Sequence, residues 1–256
     1  MKITVSTNLK DVQEAIRAIG PQAQFAAAVA LTRTAKVVRD ELKVEMSRVF
    51  DRPTPYTLNS LFVKPATKQN LEAMVWLKDA TSKGTPADRY LKPQIFGGSR
   101  SLKSMEKALQ SQGKMPRGYY AQPAAGAQLD QYGNVKRSQI VQILSQLQVQ
   151  RGGGYDSKRS NSAASKRTVA RQGVTYFAIV SKVGKLVPGI YLKKQFAKGS
   201  AVKPVFIFTR ETSYEPRFKF FEVAERVANQ RMPSIFDQAL RETLQTAFPK
   251  RQSSLF

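Results

Sequence analysis

The sequence predicts an α+β fold, with a long N-terminal amphipathic helix and a C-terminal helix packed on a small antiparallel sheet, and a loosely structured insertion between them. Three observations carry this. Phe25, Ala28, Leu31, Ala35, Val38, Leu42, Met46 and Val49 recur at steps of three and four, which is one apolar stripe of a helix from about Gln22 to Val49. Val174 to Ser181, Gly189 to Lys193 and Val202 to Thr209 alternate like strands, and their connections are too short for helical crossovers, so they pair antiparallel. Phe220, Val223, Ala224, Val227 and Ala228 open a second helical face. It resumes after Pro233, which should break or kink it, with Ile235, Phe236, Ala239, Leu240, Leu244 and Ala247.

The remaining elements follow in chain order. Residues 1–6 alternate weakly and predict a short strand. Asn8 to Ile19 predicts a short helix, stopped by Gly20-Pro21, and Pro21 then suits the first position of the long helix. On that helix Arg33, Lys36, Arg39, Asp40, Lys43 and Arg48 largely occupy the faces away from the stripe, and its alanine-rich start allows a neighbour to approach closely. Asp51 to Tyr56 contains Pro53 and Pro55 and predicts a rigid, non-helical turn. Leu61 to Lys64 and Glu72 to Lys78 predict a hairpin around Thr67 to Asn70. Ala73, Val75 and Leu77 should share one face, with Met74, Trp76 and Lys78 on the other.

From residue 81 to 172 the pattern loosens. Leu102, Met105 and Leu109 predict a helix ending at Gly113. Met115 to Gly133 reads as irregular, and Ile140, Ile143, Leu144 and Leu147 predict a helix within Val135 to Val149. The expected organisation is therefore residues 1–80 as helix plus hairpin, 81–172 as an irregular insertion or arm, and 173–256 as strands plus a closing helix that complete the core.

Charge bounds the function. Lysine and arginine number 42 against 18 acids, a formal net charge of +24. Such an imbalance points to a polyanionic partner, whether nucleic acid, an acidic membrane face or an acidic protein surface, over a merely basic surface. The chain has no histidine and no cysteine. That removes histidine bases, triads, thiolate nucleophiles and most zinc or iron sites. Asp79, Asp88, Glu106, Asp130 and Glu211 are too scattered to nominate a magnesium site. Gly97-Gly98 and Gly152-Gly153-Gly154 lack the Gly-Lys-Ser/Thr ending of a phosphate loop. No catalytic residue, metal or cofactor is expected. No stretch approaches the roughly 20 apolar residues of a membrane span, and the N-terminus lacks the apolar run of a secretory signal, so no membrane partner and a cytoplasmic origin are expected.

The candidate contact residues lie in the segment 151–171. Arg151, Lys158, Arg159, Lys166, Arg167 and Arg171 stand there against the single acid Asp156. Lysine and arginine in such a segment neutralise phosphates without reading sequence. A solvated basic linker is the competing reading of the same composition. Tyr119, Tyr120, Tyr132 and Tyr155 lie nearby among glycines and basic residues, but at no spacing of a recognised RNA-binding module, and loop packing or subunit contact is the preferred role for them.

Two segments carry a family resemblance. Ala30-Leu31-Thr32-Arg33-Thr34-Ala35 resembles the Ala-Leu-Asn/Thr-Arg-Thr-Ala signature near the start of tailed-phage minor tail protein Z and its relatives, the tail-completion or head–tail joining proteins. Lys203-Pro204-Val205-Phe206-Ile207-Phe208, then Ser213-Tyr214-Glu215-Pro216-Arg217 and the closing helix, are similar to the end of the same group, and Pro188-Gly189-Ile190-Tyr191 to its preceding hairpin. The resemblance covers roughly the first 80 and last 80 residues. It implies a non-enzymatic virion protein at the neck or tail, made in the host cytoplasm. Its implied partners are copies of itself in a hexameric ring, the connector or adaptor, and tail-tube or terminator proteins, with double-stranded DNA passing non-specifically through the lumen. The alternatives are a free, non-specific nucleic-acid-binding protein and, less favoured, a histidine-free nuclease or toxin.

Overall fold

The computed structural model describes residues 2–6, 20–82, 84–149, 173–210 and 213–247. They form an α+β protein of two units: Met1–Gly97 with Glu215–Phe256, and Gly98–Tyr214. The expected helix at Asn8 to Ile19 lies outside the described residues.

The first unit is built on helix α1, Pro21–Val49. Pro21 opens it, where a missing N–H costs nothing, and Gly20 supplies the positive φ of 104° that precedes it. The buried face is wider than the predicted stripe. Ala23, Ala26, Ala27 and Ala30 are buried alongside Leu31, Ala35, Val38, Leu42 and Met46. Phe25, by contrast, is 45% exposed, with the Lys68 ammonium 5.0 Å from its ring centre. The small alanines form the contact surface, and the bulky ring stays at the rim.

Pro55 does not exclude helix as expected. It starts the single turn α2, Pro55–Leu58, where its fixed φ suits the first helical position, and Thr54 Oγ1 caps the turn by accepting from Thr57 N at 3.2 Å. Strands β2, Leu61–Lys64, and β3, Glu72–Leu77, pair antiparallel as predicted. β1, Lys2–Ser6, joins the other edge of β3, giving the order β1-β3-β2. Ala73, Val75 and Leu77 are buried in the core with α1, on one face as expected.

Helix α3, Ala87–Phe96, also belongs to this unit, through the buried Ala87 and Leu91. The closing helix α6, Phe220–Ala247, packs along α1. It runs through Pro233 unbroken, because Pro233 sits at an exposed position where only one backbone hydrogen bond is lost.

The second unit corrects the expected division. The strands after residue 173 do not complete the core of the terminal helices. β6, Val174–Ile179, β7, Gly189–Phe196, and β8, Gly199–Thr209, form with β5, Tyr120–Pro123, a four-stranded antiparallel sheet of order β5-β8-β7-β6. Helices α4, Ser104–Ser111, and α5, Arg137–Gln146, supply Met105, Leu109, Ile143 and Leu144 to its core. There they meet Ala121, Tyr176, Ile190, Val205, Phe206 and Phe208. The stretch 98–149 reads as loose because its short elements carry too few apolar residues to close a core alone. The late strands provide the other half. β4, Gly98–Ser99, and β9, Ser213–Tyr214, pair where the chain enters and leaves this unit.

Gly189 shows how tightly β7 meets β8. It pairs with Ile207, and a Cβ added to it would collide with the Phe206 backbone oxygen. Gly189→Ala is therefore expected to destabilise the second unit by ~1–3 kcal/mol, because backbone must shift. Loss of amide protection at Ile190 and Phe208 would report it.

Candidate nucleic-acid interface

Arg151, Lys158, Arg159, Lys166, Arg167 and Arg171 all lie outside the described residues. The basic surface the structure does describe follows directly after them. From residue 157 to residue 210 the sequence contains twelve lysines and arginines and no aspartate or glutamate. Seven of the twelve are Lys182, Lys185, Lys193, Lys194, Lys198, Lys203 and Arg210, and all seven side chains are exposed.

Four of them mark the β7–β8 hairpin. Its turn is two residues, Ala197 and Lys198, with Phe196 opposite Gly199. Among the described residues β6 accompanies β7 as far as Lys194, with one further hydrogen bond from Gln195 N to Gly173 O. β5 pairs with β8 only from Phe206 onward, and the chain after it bonds back to Val205 and Pro204. Among the described residues the tip, from Phe196 to about Lys203, thus has no neighbouring strand on either side.

The alternation of the ribbon sorts its side chains. Lys194, Phe196 and Lys203 share one face, since Lys194 pairs with Ala201 and Lys203 with Leu192. Lys193 and Val202 share the other. Phe196 is 52% exposed, and the Lys194 ammonium lies 5.4 Å from its ring centre. None of these lysines has an ion pair among the described residues. A two-stranded ribbon is of a size to enter a major groove, and exposed cations along it can displace counterions from phosphates.

Two of the four tyrosines have arginine partners within the second unit. Arg210 Nε donates to Tyr119 Oη at 2.9 Å, and the Arg100 guanidinium lies 4.8 Å from the Tyr120 ring centre. Tyr155 lies outside the described residues. Of the carboxylates, Asp130 caps its own turn by accepting from Tyr132 N and Asn134 N, both at 2.9 Å. Glu106 is fully buried against Arg100 at 2.6 Å. Among the described residues no three acids converge on one point. An open groove on α6, lined by Asp237, Arg241 and Glu242 with polar neighbours, holds no buried nucleophile.

No family model, curated protein or solved structure matches this chain.

Sequence reasoning stopped the basic region at Arg171, where glycine and serine give way to strand-like alternation. The signal that would have extended it is the acid-free run to Arg210, which continues through that change of composition.

Proposed function

We propose that this chain is a structural, non-catalytic component of a tailed-phage particle. It acts as a tail-completion or neck protein that assembles as a homo-oligomeric ring between head connector and tail, with the β7–β8 hairpin directed at the phosphates of DNA.

The observation that carries this reading is where the resembling residues fall. Ala30, Leu31, Thr34 and Ala35 are at most 2% exposed inside α1. Val205, Phe206 and Phe208 are buried in β8. These residues serve packing, as a resemblance between assembly proteins without a shared active site would have it, while Ser213, Glu215, Pro216 and Arg217 of the other resembling segment are exposed. The lysines beside them, Lys193, Lys194, Lys198 and Lys203, are exposed and available to a polyanion. A ring that surrounds DNA in passing has use for such non-specific contacts.

The hairpin also favours a second reading, a free protein that binds nucleic acid without sequence preference. One experiment separates them. Particles and the purified chain are imaged by electron microscopy, and duplex DNA binding is titrated against salt, with wild type and with a variant carrying glutamine at all four hairpin lysines. The proposal expects a ring in the particle, weak binding by the isolated chain, and poor head–tail joining by the variant. Four lost phosphate contacts would make the log–log salt slope shallower by roughly 3 to 4. A monomer absent from particles that binds duplex tightly overturns the virion reading in favour of the second.

A further inference from the structure

The sheet β1-β3-β2 covers α1 with one face. Its other face carries the only tryptophan of the chain. The register places Lys2, Trp76 and Phe62 side by side in one row across the three strands, and Thr4, Met74 and Lys64 in the next. Trp76 and Phe62 lie with ring centres 5.8 Å apart and planes 32° from parallel. Lys78 follows on the same side, its ammonium 5.8 Å from the Tyr56 ring centre and 5.9 Å from that of Phe62. Phe62 is 41% exposed and Tyr56 44%. In the strand register Glu72 is the one acid on this face.

Three rings and three lysines thus alternate over one small surface. An apolar protein partner would cover the rings but strip water from Lys2, Lys64 and Lys78 without providing counter-charges, which is costly. A duplex would offer phosphates but hide its base faces. A strand with unpaired bases supplies both: a flat ring for the exposed Phe62 and Tyr56 and for the half-buried Trp76 between strands, and a phosphate for each lysine.

From this juxtaposition we infer that the outer face of β1-β3-β2 is a binding surface for single-stranded nucleic acid, with bases stacked on Trp76 and Phe62 and the backbone held by Lys2, Lys64 and Lys78. The surface lies in the first unit. It is independent of the hairpin and of the virion reading.

Trp76 is its own reporter. The full chain is titrated with a thymidine oligonucleotide of about ten nucleotides, a length within the range that single-strand sites cover. Saturable quenching of Trp76 emission is expected. Phe62→Ala should weaken the apparent affinity by at least about fivefold, the loss typical of one stacked base. Lys64→Gln replaces an exposed side chain and leaves the rings in place, so it checks the site should Phe62→Ala fold poorly. It should weaken binding and flatten the salt dependence. Four results would overturn the inference: no quenching, equal quenching by a blunt duplex or by inorganic polyphosphate, affinity unchanged in both variants, or Trp76 emission that depends on protein concentration alone. The last would assign the face to a second copy.

Discussion

Replacing Glu106 by alanine is expected to cost the second unit about 3–5 kcal/mol, the usual penalty for removing one partner of a buried ion pair. The carboxylate is fully buried and saturated with donors. Arg100 Nη1 and Nη2 donate to its two oxygens at 2.7 and 2.6 Å. Lys103 N donates at 2.6 Å and Ala121 N at 2.8 Å. Lys103 precedes the first turn of α4, so Glu106 satisfies an N–H at the helix start, where the helix dipole also favours a negative charge. Ala121 is in β5, so the same carboxylate fastens α4 to the sheet. Without it Arg100, whose side chain is only 13% exposed, keeps its charge with no counter-ion, and two backbone N–H groups lose their acceptor. Hydrogen exchange should show faster exchange at Leu109 and Ala121 while Val75, in the first unit, keeps its protection. Unchanged protection at Ala121 would mean that the pair contributes nothing net.

The same group predicts an acid limb of stability. Burial alone would raise the Glu106 pKa. The Arg100 guanidinium, with the N–H groups of Ala121 and Lys103, outweighs burial and holds it below its ordinary 4.5. A carboxyl with a depressed folded pKa contributes stability that is complete above its unfolded pKa and is lost as pH falls through the folded one. The second unit should therefore weaken below pH 4.5, and Glu106→Gln, already weakened at neutral pH, should show a flatter dependence there.

Much of the fold is legible in the sequence because it rests on local periodicity. The stripe from Ala28 to Met46, the alternation of Glu72 to Leu77 and the face from Phe220 to Val227 each state which side is buried without reference to any distant residue. What periodicity does not state is which elements share a core. By sequence Val205 and Phe206 join the core of the terminal helices, whereas the structure places them with Met105 and Ile143 through the β5-β8 pairing. Glu106 is invisible for the same reason, since its donors come from six residues upstream and fifteen downstream. The aromatic face is half legible. The alternation of β3 puts Trp76 and Lys78 on one side, but Phe62 and Lys2 join them only through register across three strands.

Phe218→Ala should lower the stability of the first unit by about 3–5 kcal/mol, the range for removing a buried phenyl ring that leaves a cavity. Phe218 is 1% exposed. Its ring meets Phe50 edge-on at 5.6 Å and Phe220 at 5.7 Å, arrangements worth something beyond the area they bury. The residues around it bring the chain back from the second unit. Phe218 N and Arg217 N both donate to Gln94 O, at 2.8 and 2.9 Å, and Arg217 Nε donates to Gln94 Oε1 at 2.6 Å. Arg217 also lies over Phe50, its guanidinium 5.4 Å from the ring centre. Phe218 thus sits where the end of α1, the end of α3 and the start of α6 are joined. Urea unfolding followed by Trp76 emission reads the first unit specifically, because the second has no tryptophan. The midpoint should fall with little change in the slope. Phe221→Ala is the control. That ring is 42% exposed, so its truncation should cost well under half as much although it too touches Phe220. Equal losses would show that burial does not set the cost of losing a ring at this junction. If the ordering holds, α6 is anchored at its first turn by Phe218. Ser234, Asp237 and Arg241, exposed on its later turns, are then the positions at which to probe the proposed assembly.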